Sequence, residues 1–182
     1  MIYDFLAYCL IPAVSVCLAG PGSWTDTNFS ILRSSGMSGV LFLSWGAVLI
    51  LCFFLWFRDI SQRLSASRAA DRFAGAAGLI LSFALLTPYL PEQFPFWSRL
   101  HFYCAFLSPV LFMIGLLLLL LLFRRENPLL ARRFLSGFWL IAGVSLALLW
   151  AAGMVTSALE IFFSSACSVF LRRLHRRVVQ TG

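Results

Sequence analysis

The chain contains no lysine. All 14 of its permanently basic residues are arginine, and only 7 residues are acidic. Charged residues make up 12% of the 182, against about 25% in an ordinary soluble domain. Each scarcity excludes a chemistry. Without lysine there is no Schiff base to retinal or to pyridoxal phosphate. The two histidines, His101 and His175, cannot supply two axial ligands to a haem within the membrane, nor a zinc site with His-x-x-x-His spacing. The five cysteines, Cys9, Cys17, Cys52, Cys104 and Cys167, are odd in number and form no Cys-x-x-Cys pair. They read as small apolar fillers. No glycine-rich loop is built to cradle a phosphate. No metal and no cofactor is therefore expected.

What the chain has in excess is apolar surface. Its residues are 61% hydrophobic, which excludes a disordered chain and a soluble globular enzyme. A membrane-crossing helix needs about 20 mostly apolar residues. Six stretches qualify, at 2–20, 37–57, 73–90, 100–123, 134–153 and 158–171. The expected fold is an all-α polytopic bundle of six transmembrane helices forming a single domain over 1–182.

The arginines set its direction. Arg58, Arg63, Arg68 and Arg72 lie between spans two and three. Arg124, Arg125, Arg132 and Arg133 lie between spans four and five, and Arg172, Arg173, Arg176 and Arg177 follow span six. Only Arg33 and Arg99 fall on the other side. Short arginine-rich loops stay cytoplasmic, so both termini are expected inside. The basic excess then labels topology and meets anionic lipid headgroups, with Arg172, Arg173, Arg176 and Arg177 as the lipid contacts. It does not point to nucleic acid. The segment Met1-Ile2-Tyr3-Asp4 lacks a basic n-region, so the first span reads as retained, not cleaved.

Helix ends carry local signals. Asn127-Pro128 is a strong helix start, with Asn as N-cap and Pro at the first helical position. Gly153 ends the fifth helix. Ser157-Ala158-Leu159-Glu160 matches a capping box, in which Glu160 folds back onto the cap residue. Pro109 is expected to kink helix four. Ala74, Gly78 and Ser82 lie four apart and mark a close helix contact.

The remaining polar residues gather on the outer side: Asp26, Asn28 and Arg33 in the first outer loop, then Glu92, Arg99, His101 and Glu160. A ligand or proton site facing outward would be built from these. His101, Cys104 and Ser108 share one face of helix four, and Ser157, Glu160, Ser164 and Cys167 share one face of helix six. Meeting faces would pair His101 with Glu160 as a proton-handling or ligand-gripping element. Glu160 sits either near mid-membrane or at the outer interface, depending on where helix six leaves the bilayer. Asn28-Phe29-Ser30 fits a glycosylation acceptor. The arginine-only basic set points instead to a GC-rich bacterial gene, and so to a bacterial inner membrane.

The layout resembles the DRAM-like group of six-helix membrane proteins and their uncharacterised bacterial relatives. The shared points are a polar first outer loop holding Asn28, a second outer loop holding Pro91 and Pro95, and His101 opening helix four. The resemblance implies a fold and no reaction. Three classes of function fit these features. The first is a non-catalytic partner, sensor or accessory subunit that meets lipid or another membrane protein. The second is a small transporter or channel subunit with a polar path near Glu160 and His101. The third is an enzyme acting on a lipid or envelope precursor at the outer surface.

Overall fold

The computed structural model describes residues 2–20, 24–25, 28–30, 36–64, 68–87 and 89–181. These residues are almost entirely helical, with no strand among them. Six helices follow one another: α1 Ile2–Ala19, α2 Gly36–Arg63, α3 Arg68–Leu86, α4 Pro95–Glu126, α5 Pro128–Ala152 and α6 Ser157–Thr181.

Most helices run past the apolar stretches. α2 continues beyond 57, α3 starts before 73, α4 starts before 100 and α6 extends well past 171. Counting apolar residues finds the hydrocarbon-crossing part of a helix. Arginine is itself a good helix former whose long stem lies along apolar surface, so the helix carries on through the arginine clusters. α3 is the exception at its other end. It stops at Leu86, before Thr87-Pro88, because the residue ahead of a proline is pushed out of the α region.

The first through fifth helices are long and apolar enough to cross a membrane. α6 is not among them, because it carries Glu160, Ser164, Ser165, Ser168 and four arginines. Neighbours in the chain are neighbours in space. α6 closes the ring against α1 and also packs on α2. The ends holding Arg58–Arg72, Arg124–Arg133 and Arg172–Arg177 form one end of the bundle, here the arginine end. The opposite end is the loop end.

The α5 boundaries follow the expected chemistry. Asn127 Oδ1 accepts the Leu130 N–H at 3.1 Å, and Gly153 (φ 69) closes the helix in the left-handed region that glycine tolerates. At the start of α6 the cap falls one residue earlier than expected: the Thr156 hydroxyl accepts from Leu159 N–H at 3.4 Å. α4 stays helical through Pro109.

The closest helix contact is between α3 and α4. Ala70, Ala74 and Ala77 are buried along α3. A Cβ added to Gly115 of α4 would stand 3.1 Å from the Ala70 carbonyl oxygen and 3.3 Å from the Ala74 nitrogen. Ala74 thus belongs to the small-residue contact as expected. Gly78 lies instead toward Ile50 of α2. The core is filled by Phe57, Ile60, Leu116, Leu119, Leu120, Phe123, Leu171 and Leu174, all at most 1% exposed. Phe53 of α2 stacks on Phe112 of α4, and Phe57 meets the same ring at a tilt.

Candidate functional site

Two prolines shape the polar chemistry of the interior. Pro12 offers no N–H to the preceding turn. The chain widens there into a π turn over Leu6–Leu10, and Ile11 N–H bonds the Leu6 carbonyl. In that register the donor for the Ala7 carbonyl would be residue 12, which has none. From α6, the Ser168 hydroxyl reaches that carbonyl, its Oγ 3.0 Å from the Ala7 oxygen and 2.8 Å from the Ser165 oxygen of its own helix, so one proton is shared between them. Pro88 likewise has no N–H for the Ala84 carbonyl, which accepts from the Thr87 N–H at 3.1 Å and from the His101 ring of α4, Nδ1 at 2.8 Å.

That bond fixes the histidine. A carbonyl only accepts, so Nδ1 carries the proton. In the neutral ring Nε2 is then an acceptor, and the Ser30 hydroxyl donates to it at 2.7 Å. His101 is 4% exposed and lies against the Tyr89 ring. One residue earlier, the Phe29 N–H donates to the Glu160 carboxylate at 2.8 Å. The Phe29 side chain is completely buried among Leu18, Phe42 and Leu85, edge-on to Trp45. Trp24 adds a backbone bond, its carbonyl accepting from Ala158 N–H at 2.9 Å.

His101 and Glu160 were expected to pair with each other; the bonds described above go to the first loop instead. The two side chains hold successive residues of the first loop, Phe29 and Ser30, and latch that loop into the loop end of the bundle. Asn28 is half-buried beside them, its Oδ1 without a hydrogen-bond partner. Glu92 and Arg99 stand apart, exposed on the second loop and the first turn of α4. Arg99 borders a shallow surface hollow with Tyr89, Pro91, Pro95 and Tyr103. Asp26 and Arg33 lie outside the described residues.

α6 carries a polar stripe at four-residue spacing: Glu160, Ser164, Ser168 and Arg172. It faces α1 at several levels. Ser164 Oγ is 3.1 Å from Ser15 Oγ, which also accepts from the Trp45 indole at 3.1 Å. Ser168 meets the Ala7 carbonyl. At the arginine end, Arg172 grips Asp4 with two bonds, Nε to Oδ1 at 3.0 Å and Nη2 to Oδ2 at 3.1 Å. The Tyr3 ring stands beneath its guanidinium at 5.6 Å. Arg172 also donates to His175 Nδ1 at 2.8 Å, His175 Nε2 meets Asp59 Oδ2 at 2.5 Å, and Asp59 pairs with Arg63.

This network recasts the four C-terminal arginines expected to contact lipid. Arg173, Arg176 and Arg177 are exposed, and Arg176 lies 3.7 Å from Asp4. Arg172 is 8% exposed and turned inward onto Asp4. A guanidinium buried at a helix interface needs a carboxylate, and Asp4 supplies one in the bidentate geometry that suits it. His175 reads from sequence as an interfacial group beside lipid, whereas here it bonds Arg172 and Asp59, and neither Asp4 nor Asp59 was singled out as a partner. The signal that could have found Asp4 is an acid at the very start of an apolar span, with no basic residue near it in the chain.

Five helices long and apolar enough to cross a membrane, in a bundle that α6 closes, mark a helical membrane protein. Compared with protein-family models, with curated proteins and with solved structures, the chain has no significant match.

Proposed function

We propose that this is a non-catalytic integral membrane protein that works as a partner, sensor or accessory subunit through its arginine end. One observation carries the reading. Of the twelve arginines at that end, all but Arg172 are exposed, while His101 and Glu160 at the loop end are engaged in fastening the first loop. A cationic end of this kind attracts anionic lipid headgroups and acidic faces of other membrane proteins. In this reading α6 is a sixth span, its polar stripe sheltered against α1 and its neighbours. Both termini are cytoplasmic by the positive-inside rule, and the membrane is a bacterial inner membrane. The layout resemblance to DRAM-like six-helix proteins belongs to the same reading.

Native mass spectrometry of protein extracted from its own membrane tests it. Replacing Arg124, Arg125, Arg132, Arg133 and Arg173 by Gln should strip the retained anionic phospholipid or partner protein while the helix content stays intact. Unchanged retention would overturn the reading. A second reading, a small transporter or channel subunit, draws on the polar stripe from Glu160 to Arg172. It requires that Glu160→Gln abolish a proton or ion flux measured in liposomes. The enzyme reading has the least support, because both ring nitrogens of His101 are engaged by Ser30 and Ala84.

A further inference from the structure

The network at the arginine end turns on His175. Arginine has no acceptor atom, so the 2.8 Å contact between Arg172 Nη1 and His175 Nδ1 requires an unprotonated Nδ1. The ring proton is then on Nε2, which donates to Asp59. The geometry is that of a neutral imidazole with one defined tautomer, accepting from an arginine on one side and donating to a carboxylate on the other. The arginine in turn holds Asp4 of α1, and the carboxylate belongs to α2. One imidazole therefore links the pair that ties α1 to α6 with the pair that ties α2 to α6.

We propose that His175 is a proton-sensing residue, and that its protonation uncouples these two pairs and loosens the N-terminal end of α1 from α6. A proton on Nδ1 would place an N–H against the Arg172 N–H and a second positive charge beside a guanidinium that is 8% exposed. Water screens a pair so placed far less than it screens a surface pair. Protonation also strengthens the bond from His175 to Asp59. The ring is thus drawn toward α2 as Arg172 is repelled. Among the described residues, the charged groups around His175 are Asp59 of α2, itself paired with Arg63, and Arg172 of α6, which with Arg176 pairs with Asp4 of α1. Arg172 thus loses the acceptor that holds its guanidinium in place on Asp4 of α1, while the ring keeps its bond to Asp59 on α2. An imidazole can make this change within the physiological pH range.

This deepens the sensor reading above by naming the signal. It uses Asp4, Asp59, Arg172 and His175 and none of the exposed arginines on α4 and α5. The two proposals can therefore fail separately: a five-arginine variant that no longer retains lipid should keep its response to pH.

The test is hydrogen exchange of the full chain in nanodiscs between about pH 8 and about pH 5, expressed as protection relative to intrinsic exchange at each pH. On acidification, protection in residues 2–10 should fall by about tenfold or more, the scale expected when one charge-assisted hydrogen bond is lost. Protection at the C-terminal end of α2 should hold. His175→Gln presents an oxygen acceptor and an N–H donor and cannot titrate, so it should keep α1 protected throughout. A wild-type chain with no pH response, or a His175→Gln chain that responds like the wild type, would overturn the proposal. Should that variant fail to fold, the ring nitrogens of the wild-type chain decide by NMR. A neutral ring protonated on Nε2 at about pH 8 that becomes doubly protonated by about pH 5 supports the proposal, and a ring protonated on Nδ1 at about pH 8 refutes it.

Discussion

The loop latch yields the sharpest single perturbation, Phe29→Ala. The Phe29 ring is fully buried against Leu18, Phe42, Leu85 and Trp45, while its own N–H is bound to Glu160. Truncating a fully buried phenylalanine costs about 3–5 kcal/mol, transfer and cavity together. Glu160→Gln keeps an oxygen that can accept the Phe29 N–H, so it costs at most about 0.5–1.5 kcal/mol, the net worth of an ordinary hydrogen bond. The apolar anchor should therefore outweigh the polar one. At about 3 kcal/mol, loop opening becomes more than a hundredfold more frequent. Hydrogen exchange in the segment 28–30 measures this directly. Glu160→Gln should raise exchange less than Phe29→Ala. The double variant should cost less than the sum, because a loop already released has little left for Glu160 to hold. An increase below about threefold for Phe29→Ala, or a larger effect from Glu160→Gln, would refute the latch as described, given that tenfold corresponds to about 1.4 kcal/mol.

Gly115→Ala should lower the thermal midpoint in detergent, at a cost of about 1–3 kcal/mol, because its new Cβ meets backbone atoms of α3 that cannot move aside. Gly143→Ala, with open space around it, should be neutral or stabilise by up to about 1 kcal/mol. Ser168→Ala leaves the Ala7 carbonyl without its donor from α6 and should cost about 0.6–1.7 kcal/mol by the same assay. In a Pro12→Ala background the restored N–H should remove that cost. The His101 ring should appear by NMR as the Nδ1–H tautomer, opposite to His175.

How much of this could be read in advance depended on the kind of interaction. Helix number, the Asn127-Pro128 start, the Gly153 stop and the Ala74 contact were legible because each rests on residues close in the chain. Periodicity and capping are local properties. The choice of His101 and Glu160 was legible too, since ionisable residues at the ends of apolar spans are few. Their partners were not. Glu160 reads as a capping-box acid because Ser157 stands three residues before it, and no local rule says that the loop will bring the Phe29 N–H to its carboxylate. Arg172 reads as a lipid contact because its neighbours are arginines. Its inward turn depends on Asp4, at the other end of the chain. The prolines were the underused signal. Pro12 and Pro88 each remove one N–H, and each leaves a carbonyl without its regular helical donor. A free carbonyl in a packed bundle calls for a donor from a neighbouring helix, and this chain has few side chains able to provide one. Ser168 and His101 are the donors found at these two places. Asking of every proline in an apolar span which carbonyl it frees, and which buried hydroxyl or imidazole could reach that carbonyl, would have pointed to the α1–α6 and α3–α4 pairings from the sequence.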